Sequence, residues 1–173
     1  MVPITRRKPA LSCVLLTDRL TAESARWFSD IKTLTDELVI FVDINRADQE
    51  TRGWAAGLAT RLYEVPGKGF VEAHLREMFE ACRCDWILRL DSDEQLSING
   101  PESAWRDFLA SAEYNHYQLP RRWLHPAGGF IAGEPWWPDP QFRLFRNELK
   151  QIIFPKLIHE PMHRREEAGR IAH

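Results

Sequence analysis

The stretch DWILRLDSDEQL, residues 85–96, decides how this chain is read. It opens on the β-formers Trp86-Ile87-Leu88 and then sets three acids within four residues, Asp91, Asp93 and Glu94. Like charges that close repel one another, so the knot calls for a positive partner. If the run is a strand, its acids sit at the carboxyl end, which in an open parallel sheet is the edge where ligands bind.

Whether the sheet is parallel is read from what precedes the knot. LSCVLLT (11–17), ELVIFVD (37–43) and RLYEV (61–65) are further short strands, the first two apolar almost throughout. Amphipathic segments separate them. Residues 21–31 predict a helix, with Thr21 as cap and Ser24 at the third position. Residues 48–60 predict a second, with Asp48 near its start. In residues 70–82, Phe70, Val71, His74, Leu75, Met78, Phe79 and Cys82 recur at offsets of three and four, one apolar helical face. The pattern is βαβαβαβ, and continuous apolar strands in that order imply a parallel sheet covered on both faces. Thr17-Asp18, Asp43 and Asp91 then share the ligand edge.

After the knot the pattern changes. Residues 99–114 predict a helix opened by Gly100-Pro101, followed by β-like pieces at 117–124, 130–137 and 142–146 broken by Pro and Gly. They read as a mixed or antiparallel extension of the same sheet. No Gly- or Ser-rich linker interrupts the chain, so residues 1–173 are expected to form one domain.

Composition narrows the function classes. A formal net charge of −2 argues against a general nucleic-acid binder. Cys13, Cys82 and Cys84 lack both the spacing of a zinc knuckle and the even count of a disulfide framework. They are expected to be reduced thiols in a cytoplasmic protein. No run reaches transmembrane length, which leaves peripheral membrane contact as the mode open to it. Arg6-Arg7-Lys8 reads as a solvated basic tip.

On a strand, residues i and i+2 point to the same side, so Asp91 and Asp93 face one site. Paired carboxylates favour a hard divalent cation, Mg²⁺ or Mn²⁺, and such ions take substrate phosphates as further ligands. The alternative is an Asp-rich turn capping the helix at 100–114.

LRLDSDEQL after a βαβαβ half resembles the Asp-Xaa-Asp segment of family 2 glycosyltransferases with the GT-A fold. PWWPDPQFRLFRN, residues 135–147, is similar to the aromatic-Pro-Asp and Arg-Leu-Phe-Arg run of bacterial members related to lipopolysaccharide-core glucosyltransferases, and His159-Glu160 resembles their His-Glu pair. The chain departs from the family at Asp43–Asp48, which lacks small residues, at Thr17-Asp18-Arg19 in place of an Asn-Glu pair, and at Leu75-Arg76 in place of an Arg-Asn pair.

The resemblance implies a GT-A-like, Rossmann-type α/β fold: a mostly parallel mixed sheet with helices on both faces. It implies inverting transfer of a sugar from a nucleotide diphosphate donor, with UDP-hexose expected, to a saccharide or glycolipid acceptor, assisted by Mn²⁺ or Mg²⁺. Asp43 would accept from the donor's base, or else simply cap the second helix. Asp91 would bind ribose or join the metal set, Asp93 and His159 would ligate the metal, and Glu94 would brace the site or a donor hydroxyl. Trp136 and Trp137 would stack on a sugar, and Arg143, with or without Arg146, would contact diphosphate. Asp139 would be the catalytic base, its pKa raised by the flanking tryptophans, with Glu134 in reserve. Three other readings compete. A haloacid-dehalogenase phosphohydrolase would need its acidic pair after the first strand. A nucleotidyltransferase would want a Gly-rich loop where Thr17–Leu20 has no Gly. A module on the same fold would bind nucleotide sugar or glycan without turnover.

Overall fold

The computed structural model describes residues 8–98, 100–164 and 166–171. The four apolar runs are β1 (Leu11–Thr17), β2 (Glu37–Asp43), β3 (Arg61–Val65) and β4 (Trp86–Arg89), parallel and in the spatial order β3-β2-β1-β4. The second half extends this sheet past β4. With β5 (His116–Arg121), β6 (Asp139–Arg146) and β9 (Gly169–Arg170), the full order is β3-β2-β1-β4-β6-β5-β9. β6 runs antiparallel to both β4 and β5, so it enters the ligand edge from the opposite direction to β4. β7 (Ile152–Ile153) and β8 (His163–Arg164) form a separate two-stranded ribbon.

Among the described residues four α-helices connect the strands: α1 (Ala22–Leu34), α2 (Gln49–Leu58), α3 (Leu75–Ala81) and α4 (Glu102–Ser111). Local chemistry starts the first two. The Ser24 N–H donates to Thr21 Oγ1 at 3.1 Å while the Thr21 N–H donates to Ser24 Oγ at 2.8 Å, a reciprocal capping box. Asp48 accepts from the Thr51 N–H at 2.7 Å.

Strand alternation then sorts the core into two layers. Leu11, Cys13 and Leu15 of β1 and Leu38, Ile40 and Val42 of β2 pack with Phe28 and Ile31 of α1, Ala55 of α2, and Trp105 and Leu109 of α4. Val14, Val39, Phe41 and Ile87 pack on the other side with Leu75, Met78 and Phe79 of α3. Each large side chain so buried contributes on the order of 1.5–3 kcal/mol. The expected α/β class with helices on both faces is what forms.

Several boundaries differ from expectation. α1 runs three residues past Ile31, to Leu34. The third helix opens as a 3₁₀ turn, Val71–His74, before α3. β4 stops at Arg89 because residues 91–94 fold into a turn: the Glu94 N–H donates to the Asp91 carbonyl at 3.0 Å, and the Asp91 N–H donates to Glu94 Oε2 at 3.1 Å. β5 ends at Arg121, short of residue 124. No strand forms over 130–137; Gly128-Gly129, Gly133, Pro135 and Pro138 leave an exposed arm tied by one bridge, Leu124 to Phe130. β6 starts three residues early, at Asp139. The expected tip at 6–7 and helix start at 99 lie outside the described residues.

Among the described residues no helix is long and apolar enough to cross a membrane. All three cysteines are free, and burial pushes the thiols of Cys13 and Cys82 well above their ordinary value.

Candidate active site

The carboxyl ends of β1, β2 and β3 surround a cleft of about 180 Å³, lined by Leu16, Thr17, Asp43, Arg46, Phe70 and His74 among others. Asp43 organises its wall. Asp43 Oδ1 accepts the Asn45 N–H at 2.9 Å and the Gly67 N–H at 3.0 Å, which ties the segment after β3 to the end of β2. Gly67 is required there, because a Cβ at that position would fall on the Asp43 carboxylate. The capping alternative for Asp43 is corrected: Asp48, not Asp43, caps α2. His74 is among the residues that line the cleft, with 1% of its surface exposed. Neither ring nitrogen has a hydrogen-bond partner, although Nδ1 is 3.5 Å from Glu77 Oε2.

The acidic knot beside this cleft is balanced by arginine. From β6, the Arg143 guanidinium donates through Nη2 to Asp91 Oδ2 at 2.8 Å and to Glu94 Oε1 at 2.6 Å, and through Nε to Glu94 Oε2 at 3.0 Å. Arg89 meets Asp91 Oδ1 at 2.5 Å from the other side. Arg121 of β5 bridges onward, with Nη1 3.6 Å from Glu94 Oε1 and Nη2 2.8 Å from Asp139 Oδ2. Three carboxylates and three guanidiniums therefore form one chain of ion pairs from Asp91 to Asp139. The Arg143 side chain is only 6% exposed. Desolvation pulls its pKa down, but the charges of Glu94 and Asp91 outweigh this and hold it above the usual value.

Asp139 is corrected in one respect. Burial does push its pKa up. Three hydrogen bonds outweigh that push: Trp123 Nε1 donates to Oδ2 at 2.9 Å, Arg121 Nε to Oδ2 at 2.8 Å and Gln141 Nε2 to Oδ1 at 2.5 Å. With the Arg121 charge added, the carboxyl is held below its ordinary value. The tryptophan that touches the carboxylate is Trp123, as a hydrogen-bond donor, and not one of the expected flanking pair Trp136 and Trp137.

The remaining expected residues are placed as follows. Asp93 is exposed on the 91–94 turn. Arg143, expected on a diphosphate, is committed to Asp91 and Glu94. Arg146 lies over the Trp86 ring, 4.6 Å from its centroid. Trp137 packs edgewise on Phe130 at 5.0 Å, with Arg122 5.5 Å from its centroid, and Trp136 meets Trp123 at 5.1 Å. Glu134 is exposed on the arm. His159 is exposed, with a φ of 64°, and its N–H donates to Glu72 Oε1 at 3.1 Å. Glu160 accepts the N–H groups of Lys156 and Leu157, at 2.7 and 3.1 Å.

The three expected metal residues do not close into a cage. Among the described residues no group of three His, Cys, Asp or Glu side chains is placed to hold a metal ion. The expected convergence of His159 with Asp91 and Asp93 is corrected accordingly: arginines, not a histidine, complete the knot. The donor set still suits a hard cation in a narrower way. Such ions are often held by one or two carboxylates, with substrate phosphates and water supplying the rest. Asp93, exposed on the turn, offers one such carboxylate; Asp91 has Oδ1 on Arg89 and Oδ2 on Arg143, and the turn removes the strand alternation expected to set both acids on one side.

Two residues that shape the site are not legible as such. In the sequence, Arg121 carries no local sign of a partner at Asp139, 18 residues on. The sheet register, which sets Arg121 directly opposite Asp139, was the missing information. His74 counted only as one member of an apolar helical face.

No family model matches the chain. Over 89 residues it is 32% identical to an uncharacterized glycosyltransferase of Rickettsia prowazekii and, equally, to one of Rickettsia typhi. The match spans 50% of this chain and 29% of each relative, so the chain covers less than a third of their length. Among solved structures it is similar to glucosyl-3-phosphoglycerate synthase of Mycobacterium tuberculosis in complex with phosphoglyceric acid, with a TM-score of 0.56, 18% identity, and coverage of 81% of this chain and 57% of the other. The same synthase in complex with Mn²⁺, UDP and glucosyl-3-phosphoglycerate gives 0.50 at 19% identity, over 69% and 45%. The 4-diphosphocytidyl-2C-methyl-D-erythritol synthase of Anaerococcus prevotii gives 0.51 at 9%, over 82% and 72%. These structures share the fold, and the sequence is glycosyltransferase-like over half its length.

Proposed function

We propose that this chain is an inverting glycosyltransferase that moves a sugar from a nucleotide diphosphate sugar, a UDP-hexose, to a saccharide or glycolipid acceptor. One observation carries the reading. The acidic knot at the end of β4 and Asp139 at the start of β6 belong to a single ion-pair chain, joined by Arg121. The group expected to handle the donor and the group expected to handle the acceptor therefore share one site. The likeness to curated glycosyltransferases supports this, as does a fold neighbour described with UDP and Mn²⁺.

In this reading the cleft at Asp43 takes the nucleoside, and Asp93 faces the diphosphate. A bound Mn²⁺ or Mg²⁺ supplies positive charge against the departing diphosphate. Arg143 and Arg89 keep Asp91 fixed and charge-balanced, so the acids tolerate one another before a donor arrives. Asp139 takes the acceptor hydroxyl's proton as the new oxygen–carbon bond forms and the bond to the diphosphate breaks. Its depressed pKa keeps it ionised, while Arg121 and Trp123 fix its orientation. Trp137, braced by Phe130 and Arg122, offers a ring face to a sugar. Glu94 holds the 91–94 turn. The reading carries with it a cytoplasmic site of action, in which the free thiols persist.

A second reading, nucleotide-sugar binding without turnover, draws on the same Asp139 contacts, since a carboxylate so well satisfied is a weak base. A screen of UDP-sugars with Mn²⁺ separates the two. Transfer requires sugar consumption that Asp139→Asn lowers by on the order of 10²–10⁴ while UDP affinity is kept. Binding of UDP with no consumption of any donor selects the second reading. Absence of binding removes both.

A further inference from the structure

We propose that His74 is a ligand-binding residue, whose imidazole reads the hydrogen-bonding edge of the donor's nucleobase in the Asp43 cleft. This rests on the nucleotide-sugar reading above and adds to it the residue that recognises the base.

The ring is 1% exposed, and neither nitrogen makes a hydrogen bond, Nδ1 lying 3.5 Å from Glu77 Oε2. Buried polar groups are ordinarily satisfied, and each one that is not carries an explanation. A neutral imidazole has one N–H donor and one acceptor nitrogen, so a bound group can pair with either. His74 lines the cleft together with Asp43, a carboxylate that only accepts. The cleft is below the roughly 300–1,000 Å³ typical of whole small-molecule sites, so its 180 Å³ takes one ring of a larger ligand.

The wall chemistry selects which ring. Leu16, Phe70 and Val71 give apolar sides, and the Asp43 carboxylate repels phosphate. Arg46 and Lys68, both exposed, lie among the lining residues where a charged group can remain hydrated. An uncharged planar ring with an alternating carbonyl–N–H–carbonyl edge is complementary to such a lining: its N–H meets the carboxylate and a carbonyl takes the imidazole N–H. Uracil has that edge.

The test follows the histidine ring nitrogens of ¹⁵N-labelled protein by NMR during addition of uridine or ribose 5-phosphate. UDP affinity is measured in parallel by calorimetry on the wild type and on His74→Phe. Uridine should move the His74 resonances and ribose 5-phosphate should not. His74→Phe should bind UDP about tenfold more weakly. Its melting temperature should not fall, because two unsatisfied nitrogens are removed. Unmoved His74 resonances on saturation with uridine, or UDP affinity in His74→Phe within twofold of wild type, overturn the assignment and leave the donor reading standing. An equal response to ribose 5-phosphate overturns the choice of the base. A wild type that binds neither UDP nor uridine overturns the donor reading itself.

Discussion

Replacing Arg143 with methionine removes the group that balances two acids at once. The substitution keeps an unbranched stem in a nearly closed space, since the side chain is 6% exposed. What it deletes are three charge-assisted hydrogen bonds of 2.6 to 3.0 Å. Breaking a buried ion pair by removing one partner costs about 3–5 kcal/mol. Two features pull the figure toward the lower end. Arg89 still meets Asp91 at 2.5 Å, and Arg121 still lies 3.6 Å from Glu94. Asp91 also keeps 33% of its side chain in water. The expected loss is therefore about 3 kcal/mol, a fall in melting temperature of roughly 6–12 °C for a chain of this size. Adding Glu94→Gln to Arg143→Met should restore part of that stability, because it removes the acid left short of countercharge while Asp91 keeps Arg89. Urea unfolding at pH 7 on the three proteins reads both effects. A single variant melting within 2 °C of wild type, or a double variant no more stable than the single one, refutes the charge-balance account.

Gly67→Ala should destabilise by about 1–3 kcal/mol, because its Cβ meets the Asp43 carboxylate and one of the two must move; an unchanged melting temperature would show that the segment yields freely. Asp93→Ala should abolish the part of UDP affinity that depends on Mn²⁺ and leave the metal-free part unchanged, and calorimetry with and without chelator distinguishes this from a general loss. Asp139 supplies a pH signature. Its folded-state pKa lies below the ordinary 3.8, so its stabilisation is complete above that value and is lost as pH falls through the folded one. Relative to Asp139→Asn, the wild type should lose stability only in that acid window, and parallel stability curves from pH 6 to pH 2.5 would contradict it.

The front half of the fold was legible because its signals are local. Apolar runs, a Thr21–Ser24 box and an Asp48 cap each act within four residues, and the parallel sheet follows from their alternation. The back half was harder, since Pro and Gly break its β-like pieces and the last strand was expected only from Phe142. The sheet absorbs Pro140 by setting it opposite Pro120, so both missing N–H groups fall on one rung, and by placing it beyond the stretch that β4 pairs, Leu144 to Arg146. The knot was legible as acids in need of a cation. The identity of that cation was not, because the choice of Arg143 depends on a register between strands that no local pattern encodes. The same gap hid the Arg121–Asp139 pair, and with it the direction of the Asp139 pKa.

The entry of β6 from the opposite direction also has a consequence for biosynthesis. Arg143 reaches Glu94 and Asp91 across 49 and 52 residues of chain. When the acidic segment leaves the ribosome, the guanidinium that neutralises it from β6 has not yet been translated. A nascent front half thus has Arg89 alone against the acids at the end of β4, and only a long-range closure brings Arg143 and Arg121 to them. Full pairing of Asp91 and Glu94 is a signature of β6 having been made, and premature stop variants ending before residue 139 should leave Glu94 without its arginines.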